Sequence, residues 1–345
     1  MANILYGVNG EGSGHSSRAR EVIAHLETKG HRVHVASFDR GYRNLKDDFD
    51  LTEIDGLRLE YVHNRVRYRK TVVRNLLHVP QVASRVLALA HQAEGWGLDL
   101  VITDFEPITC HLGHKLRLPV IAIDNQHLLT DTEISYPREY RKEAAAAKLV
   151  TRLMTPRTDA HLVISFFSAP VKKRNTFLFP PILREEVLKA APSMGDFVLV
   201  YVTSEAAELP ELLKMVRQRF VCYGFNREEK EPNLEFRKPG LDTFLRDLAG
   251  CRAVIANAGF SLISEALYLG KPYLAWPVKG QFEQVFNAYY VGEMGYGAYW
   301  DELNKERVES FLFNLEGYRE KLAEYSRADN SALFSKLDEL LAGVG

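Results

Sequence analysis

Cysteine is scarce in this chain: Cys110, Cys222 and Cys251 are the three among 345 residues. They form no Cys-x-x-Cys pair, which excludes a disulfide framework and a cysteine-held zinc and suits a reducing compartment. An excess of one charge is lacking as well, since 44 Lys and Arg stand against 45 Asp and Glu. A histone-like or genome-packaging role is excluded by that balance, because no global field would draw a polyanion. No uncharged apolar run nears the ~18 residues of a membrane-crossing helix. The opening MANILYGVNGEG is broken by glycines and Glu11, unlike a secretory leader. What is plentiful is aromatic core material, 18 Phe, 16 Tyr and 3 Trp, which excludes disorder. The expectation is a soluble cytoplasmic protein, and at roughly 100–200 residues per domain, one of two domains.

Short apolar runs alternate with longer amphipathic stretches. Residues 3–8, 33–38, 99–104, 119–124 and 160–165 read as buried parallel strands, with a helix over 17–29 that Ser16 or Ser17 would cap. The pattern restarts after the proline-rich stretch FFSAPVKKRNTFLFPPILR. Strands are expected at 197–202, 220–225, 252–257 and 272–276, with helices at 241–249, 260–269 and 281–294. The predicted fold class is α/β: two doubly wound domains facing across a cleft, at 1–168 and 196–320, joined by a linker at 169–195. The helical tail 321–345 is expected to pack back toward the first domain.

Gly7, Gly10, Gly12 and Gly14 crowd the turn after the first strand, and Gly12-Ser13-Gly14 would let backbone N–H groups approach an anion. One reading is a dinucleotide site, although Ser17 stands in the place of the third glycine. His15 within this turn offers a second reading, since an imidazole there suits proton removal from an alcohol. Asp104 ends a strand of the same sheet and would orient that imidazole, or else cap the helix near Pro107. His127 falls on the same rim as a candidate acceptor contact, with Glu106 beside it.

In the second half, a strand ends at Asn257 and the turn Ala258-Gly259-Phe260 opens a helix at Ser261, where free N–H groups would hold a diphosphate. Glu265 lies four residues on, roughly 6 Å up the helix axis, where a carboxylate can accept both hydroxyls of a ribose. Glu283 and Gln284 open the next helix and would hydrogen-bond sugar hydroxyls.

The run Gly259, Glu265-Ala266, Gly270, Pro272, Pro277, Glu283-Gln284, Asn287-Ala288 resembles the donor-binding half of GT-B glycosyltransferases, and the Gly-x-Gly-His loop and PPILR are similar to the same superfamily. In style the chain resembles the macrolide- and glucuronosyl-type transferases and the bacterial enzyme that adds N-acetylglucosamine to a lipid-linked muramyl peptide. The resemblance implies two Rossmann-like domains, the first for the acceptor and the second for a nucleotide-sugar donor, usually UDP-hexose. It implies Glu265 on ribose, Gly259, Phe260 and Ser261 on diphosphate, Glu283 and Gln284 on the hexose, and the backbone of Leu241 on the base, with Asn257 and the loop Gly12-Ser13-Gly14 also touching the donor. His15 would be the general base, with Asp104 assisting. Retaining members carry glutamates eight apart in this region, whereas Asn257 stands eight before Glu265, so inversion is expected. No metal and no cofactor beyond the nucleotide-sugar co-substrate are expected. An NAD-dependent oxidoreductase and a non-catalytic nucleotide-sugar-binding protein remain the alternatives.

From Tyr61 to Ala93 the charges are Arg65, Arg67, Arg69, Lys70, Arg74 and Arg85, interleaved with apolar residues and with no acid. Such a segment suits a lipid-linked or anionic acceptor, or a peripheral contact with the inner face of a membrane, as well as an ordinary solvated face.

Overall fold

The computed structural model describes residues 1–56, 61, 62, 65, 66, 79–203, 206–238 and 240–343. They gather into two compact units. One takes the described residues of Met1–Glu60, Arg67–Arg184 and Asp329–Gly345, the other those of Tyr61–Val66 and Glu185–Ala328.

The first unit is built on strands β1 (Asn3–Val8), β2 (Arg32–Ser37) and β3 (Leu51–Glu53). After the two-residue strands β4 (Tyr61–Val62) and β5 (Arg65–Val66) come β6 (Leu100–Asp104), β7 (Val120–Asp124), β8 (Ala160–Ile164) and β9 (Thr176–Phe179). The sheet order is β3-β2-β1-β6-β7-β8-β9, and every pairing in it is parallel. Strands of this kind are apolar throughout because helices cover both faces. Leu5 and Val101 pack with Ile108, Leu112 and Val120 on one side of the sheet. The chain winds outward from β1 to β3, then returns to β6 and winds the other way. Its switch point therefore lies between β1 and β6, where Val8 stands beside Asp104.

The second unit repeats the plan with β10 (Phe197–Tyr201), β11 (Arg219–Tyr223), β12 (Glu229–Lys230), β13 (Leu234–Arg237), β14 (Ala253–Ala256), β15 (Tyr273–Ala275) and β16 (Gly297–Tyr299). The order is β12-β13-β11-β10-β14-β15-β16, parallel except for β12 on β13. Its switch point lies between β10 and β14. Val198, Val200, Phe220, Phe236, Ile255 and Leu274 fill its core.

Three local differences from the sequence reading have simple causes. The first helix runs Gly14–Thr28 with Ser13, not Ser16 or Ser17, at its N-cap. Gly12 at φ +78° makes the turn three or four residues earlier than the serines suggest. Within 169–195 the chain forms the edge strand β9, stopped by Pro180 and Pro181, and then the short helix Glu185–Lys189. In the terminal segment, the helix Leu315–Ala323 belongs to the second unit and the helix Ser331–Ala342 to the first. The latter is held there by Asp338 on His25 (2.8 Å) and by Asn330, which exchanges hydrogen bonds with the Leu183 backbone at 2.9 and 2.8 Å.

Candidate active site

At the switch point of the first sheet, Asn9 closes the gap between the strand ends. Its backbone N–H donates to Asp104 O at 3.2 Å and its side chain to Phe105 O at 3.0 Å. Phe105 adopts φ +54°, a left-handed backbone that costs a non-glycine residue about 1 kcal/mol or more. That turn leaves Asp104 directed toward the first helix and Glu106 toward the helix Pro107–Leu116. Glu106 is the cap of the latter, accepting from Ile108 N at 3.0 Å, Thr109 N at 2.7 Å and Thr109 Oγ1 at 2.7 Å. Burial pushes its carboxyl pKa up even against those bonds. The capping role considered for Asp104 thus belongs to Glu106, and Glu106 is correspondingly spent as an acceptor contact.

Asp104 instead meets His15, whose Nδ1 lies 2.8 Å from Oδ1. His15 sits in the first turn of its helix, so its ring reaches inward to β6 while Gly12 and Ser13 stay exposed at the helix start. Among the described residues Nε2 has no hydrogen-bond partner. One member of this cluster escaped the sequence reading: Arg18, one helical turn beyond His15, donates from Nε to Asp104 Oδ2 at 2.7 Å. The spacing i, i+3 was the available signal, since it puts Arg18 on the face of His15. Burial disfavours the Arg18 charge, but the Asp104 carboxylate outweighs it and holds the guanidinium pKa up. The Tyr6 hydroxyl of β1 is fully buried and pushed well above its ordinary pKa by burial and by Asp104.

His127 is not on an open rim. It is 2% exposed, with Nδ1 2.7 Å from Asp124 Oδ2 and Nε2 3.4 Å from Thr155 Oγ1. Its ring centroid lies 4.2 Å from that of His161, which pairs with the buried Asp131. Asp131 also takes Lys173 at 2.5 Å. The acceptor role expected of His127 is therefore replaced by a buried ladder of two histidines and two carboxylates. Burial opposes each charge, yet Asp124 holds the His127 pKa up, His127 holds Asp124 down, and His161 and Lys173 hold Asp131 well below the carboxylate range. The depressed carboxyls stabilise the fold above their unfolded pKa and lose that contribution as pH falls through the folded values. His127 contributes below its unfolded pKa and loses its share as pH rises through the raised one. Between pH 5 and pH 3, wild type is expected to lose more urea stability than Asp131→Asn. Equal losses in the two proteins would remove Asp131 as a source of acid sensitivity.

In the second unit Asn257 spans the switch point. Its Oδ1 accepts from Thr203 N at 2.8 Å and Thr203 Oγ1 at 3.1 Å, and its Nδ2 donates to Trp276 O at 3.0 Å. Both ends of the amide are engaged, so Asn257 ties three strand ends together. Asn287 supports the turn that follows by donating to Ala258 O at 3.1 Å. Gly259, at φ −71° and ψ 133°, is the N-cap of the helix Phe260–Tyr268, and its own N–H is committed to Asn257 O at 2.9 Å. A Cβ on Gly259 would meet nothing within 4 Å, so neither backbone conformation nor internal packing requires glycine here. Phe260 is buried, Ser261 half-buried, and Glu265 is 8% exposed on the second turn. Glu283 lies in the first turn of the helix Phe282–Glu293. Gln284 Oε1 accepts from Val278 N at 2.9 Å. Leu241 is the first residue of the helix Leu241–Gly250.

The remaining expectations concern surface and thiols. Arg67, Arg69, Lys70 and Arg74 lie outside the described residues, and of Arg65 only its place in β5 is described. Arg85 pairs with Asp55 at 2.7 Å. Among the described residues no helix is long and apolar enough to cross a membrane. Burial pushes all three thiols up to about 12, which makes them poor nucleophiles near neutrality.

Two doubly wound sheets, each with polar groups gathered at its switch point, define a protein of the doubly wound α/β class. Comparison with known proteins makes this specific. The model of glycosyl transferase family 1 matches residues 2–316, and the chain belongs to that family. An uncharacterized glycosyltransferase of Methanosarcina mazei is 23% identical over 328 residues, covering 85% of this chain and 84% of the relative. The glycotransferase of kitacinnamycin shares the fold at TM-score 0.74 and 15% identity, with 99% of each chain covered. Phytolacca americana UGT2, solved with UDP-2fluoro-glucose and pterostilbene, superposes at TM-score 0.69 and 13% identity over 100% of both chains. The protein is thus a glycosyltransferase of GT-B type. Sugar transfer takes the place of the hydride-transfer alternative.

Proposed function

We propose that the chain moves a hexose from a UDP-linked donor to an acceptor hydroxyl with inversion, and that it needs no metal to do so. The observation that carries this reading is His15: Nδ1 rests on Asp104 at 2.8 Å while Nε2 has no partner among the described residues. An imidazole held this way has a lone pair for the hydroxyl proton, and a carboxylate that supports the ring as it accepts it. The acceptor oxygen then attacks the anomeric carbon as the bond to the nucleoside diphosphate breaks, which inverts that centre. Gly259 supports the donor half of the reading, because its open, unstrained position fits the close approach of a diphosphate to the helix Phe260–Tyr268. The positive end of that helix offsets charge on the departing diphosphate. UDP-2fluoro-glucose on the Phytolacca americana relative supports uridine as the base.

The test is a thermal-shift screen against UDP, UDP-glucose, UDP-N-acetylglucosamine, dTDP-glucose, GDP-mannose and NAD, followed by turnover. Stabilisation by UDP and its sugars is expected, and stabilisation by NAD alone would defeat the reading. Nucleotide binding without any transfer would favour a non-catalytic binder. Within this reading, Glu265→Ala is expected to weaken UDP binding by about 1–3 kcal/mol, the cost of charge-assisted hydrogen bonds to ribose. Calorimetry giving wild-type affinity would remove Glu265 from the ribose.

A further inference from the structure

Three helices of the first unit lie side by side. Val79–Gln92 and Pro107–Leu116 share one core through Val86, Leu89, Ile108 and Leu112. The chain leaving Arg141–Met154 reaches the second of them, where Cys110 Sγ faces Pro156 O at 3.7 Å and His114 Nε2 lies 3.2 Å from Arg157 O. Ala144, Ala147, Val150 and Met154 bury the inner side of Arg141–Met154. Its outer side, followed at steps of three and four residues, carries Lys142, Ala145, Leu149, Arg152 and Leu153, all exposed.

The four exposed leucines among the described residues are all on these helices: Leu87, Leu116, Leu149 and Leu153, between 43% and 55% exposed. A single surface leucine is ordinary, whereas all four on one helical layer point to contact with something apolar. Lys115, Arg117, Lys142, Arg152 and Arg157 lie on or just beyond the same helices, exposed and with no ion pair among the described residues. Glu143 is the single acid within the three helices, half-buried and with Oε2 shut off from water. The chain as a whole balances 44 cations against 45 anions, so this face is set apart in sign. Cations at helix ends have an ordinary role, since Lys115 and Arg152 sit in last turns, where the dipole is negative. That role leaves the leucines unexplained, and it fails for Lys142, which lies in a first turn.

We propose that this face rests on an anionic lipid bilayer, the leucines reaching the acyl boundary and the cations lying among the headgroups. A second copy of the chain is a poorer occupant, because a two-fold contact would set the cations against one another. Arg117 and Arg157 each stand three residues before a strand, β7 and β8, so the face is weighted toward the N-terminal edge of the sheet. Asn9 and Asp104 mark the opposite edge, and a bilayer seated here leaves that switch point uncovered. The five cations lie outside the basic stretch that begins at Tyr61, so the two can be tested apart. The seat depends neither on the donor nor on the chemistry at His15.

The experiment sediments the full chain with sucrose-loaded vesicles of phosphatidylglycerol and phosphatidylcholine, or of phosphatidylcholine alone, at low and at physiological salt. Wild type is expected to bind the mixed vesicles about tenfold or more tighter than the neutral ones, and to lose part of that binding with salt. Lys115→Gln/Arg117→Gln/Arg152→Gln/Arg157→Gln should lower affinity for the mixed vesicles by about tenfold or more. Leu149→Gln/Leu153→Gln keeps every charge and should lower it by about fivefold or more. Both variants change exposed positions, and thermal unfolding checks that each is folded. Should the charge variant not fold, the leucine pair decides alone. Binding that is absent at low salt, equal on the two compositions, or unchanged in a folded variant would overturn the proposal. So would equally tight binding to poly-glutamate, which would assign the cations to an acidic protein. A dimer in sedimentation equilibrium that the leucine pair dissolves would overturn it as well. Vesicle binding needs no turnover, so its outcome is separate from that of the hexose-transfer reading.

Discussion

Replacing His15 by alanine is expected to lower transfer by about 10²–10⁴-fold, the range for a positioned general base, while nucleotide affinity stays near wild type. The separation follows from where the groups sit: His15 belongs to the first unit, and the turn and helix proposed for the donor belong to the second. Asp104→Asn should cost less, because it removes orientation and charge support but leaves the imidazole in place. The two losses should not add, as for residues that act as one unit. Single-turnover transfer to a verified acceptor is the deciding measurement. A wild-type rate in His15→Ala would move the base elsewhere, and neither His127 nor Glu106 is fit to replace it. The first is 2% exposed on Asp124, and the second caps its helix with both carboxylate oxygens.

Asp104→Ala is expected to destabilise the first unit by about 3–5 kcal/mol, the range for breaking a buried ion pair by removing one partner. The alanine itself is well tolerated by size. The cost lies in Arg18, 5% exposed and left without the carboxylate that it forks onto. Urea unfolding followed by circular dichroism measures the loss. The double variant Arg18→Met/Asp104→Ala should recover a good part of it, because the buried cation goes as well. A double variant as unstable as Asp104→Ala alone would locate the cost in lost packing and not in charge.

The strands expected from apolar runs stand within a residue or two of their places, because a parallel strand covered on both faces has to be apolar along its length. The short edge strands β3, β9 and β16 escaped, since three or four residues make no period. Asp104 and His15 were legible as a pair because both mark strand-to-helix junctions of one sheet. Arg18 was not, since an arginine on a helix ordinarily reads as solvated and only the register Val8 on Asp104 brings the carboxylate to it. Asn257 and Glu106 illustrate the opposite case. Their positions look like ligand positions, and only the fold discloses that Thr203 and Trp276 bond to the first and Ile108 and Thr109 to the second.

The last helix changes where the chain can be divided. Because Ser331–Ala342 joins the unit that holds Met1–Glu60 and Arg67–Arg184, the stretch 185–328 is flanked on both sides in sequence by the first unit. Recombination between relatives by one crossover after Arg184 would hand over that helix as well and part Asp338 from His25 and Asn330 from Leu183. Residues 185–328 travel intact only as a cassette with two junctions. Hybrids built with two crossovers should keep a complete first unit, and one-crossover hybrids should begin life with a mismatched one.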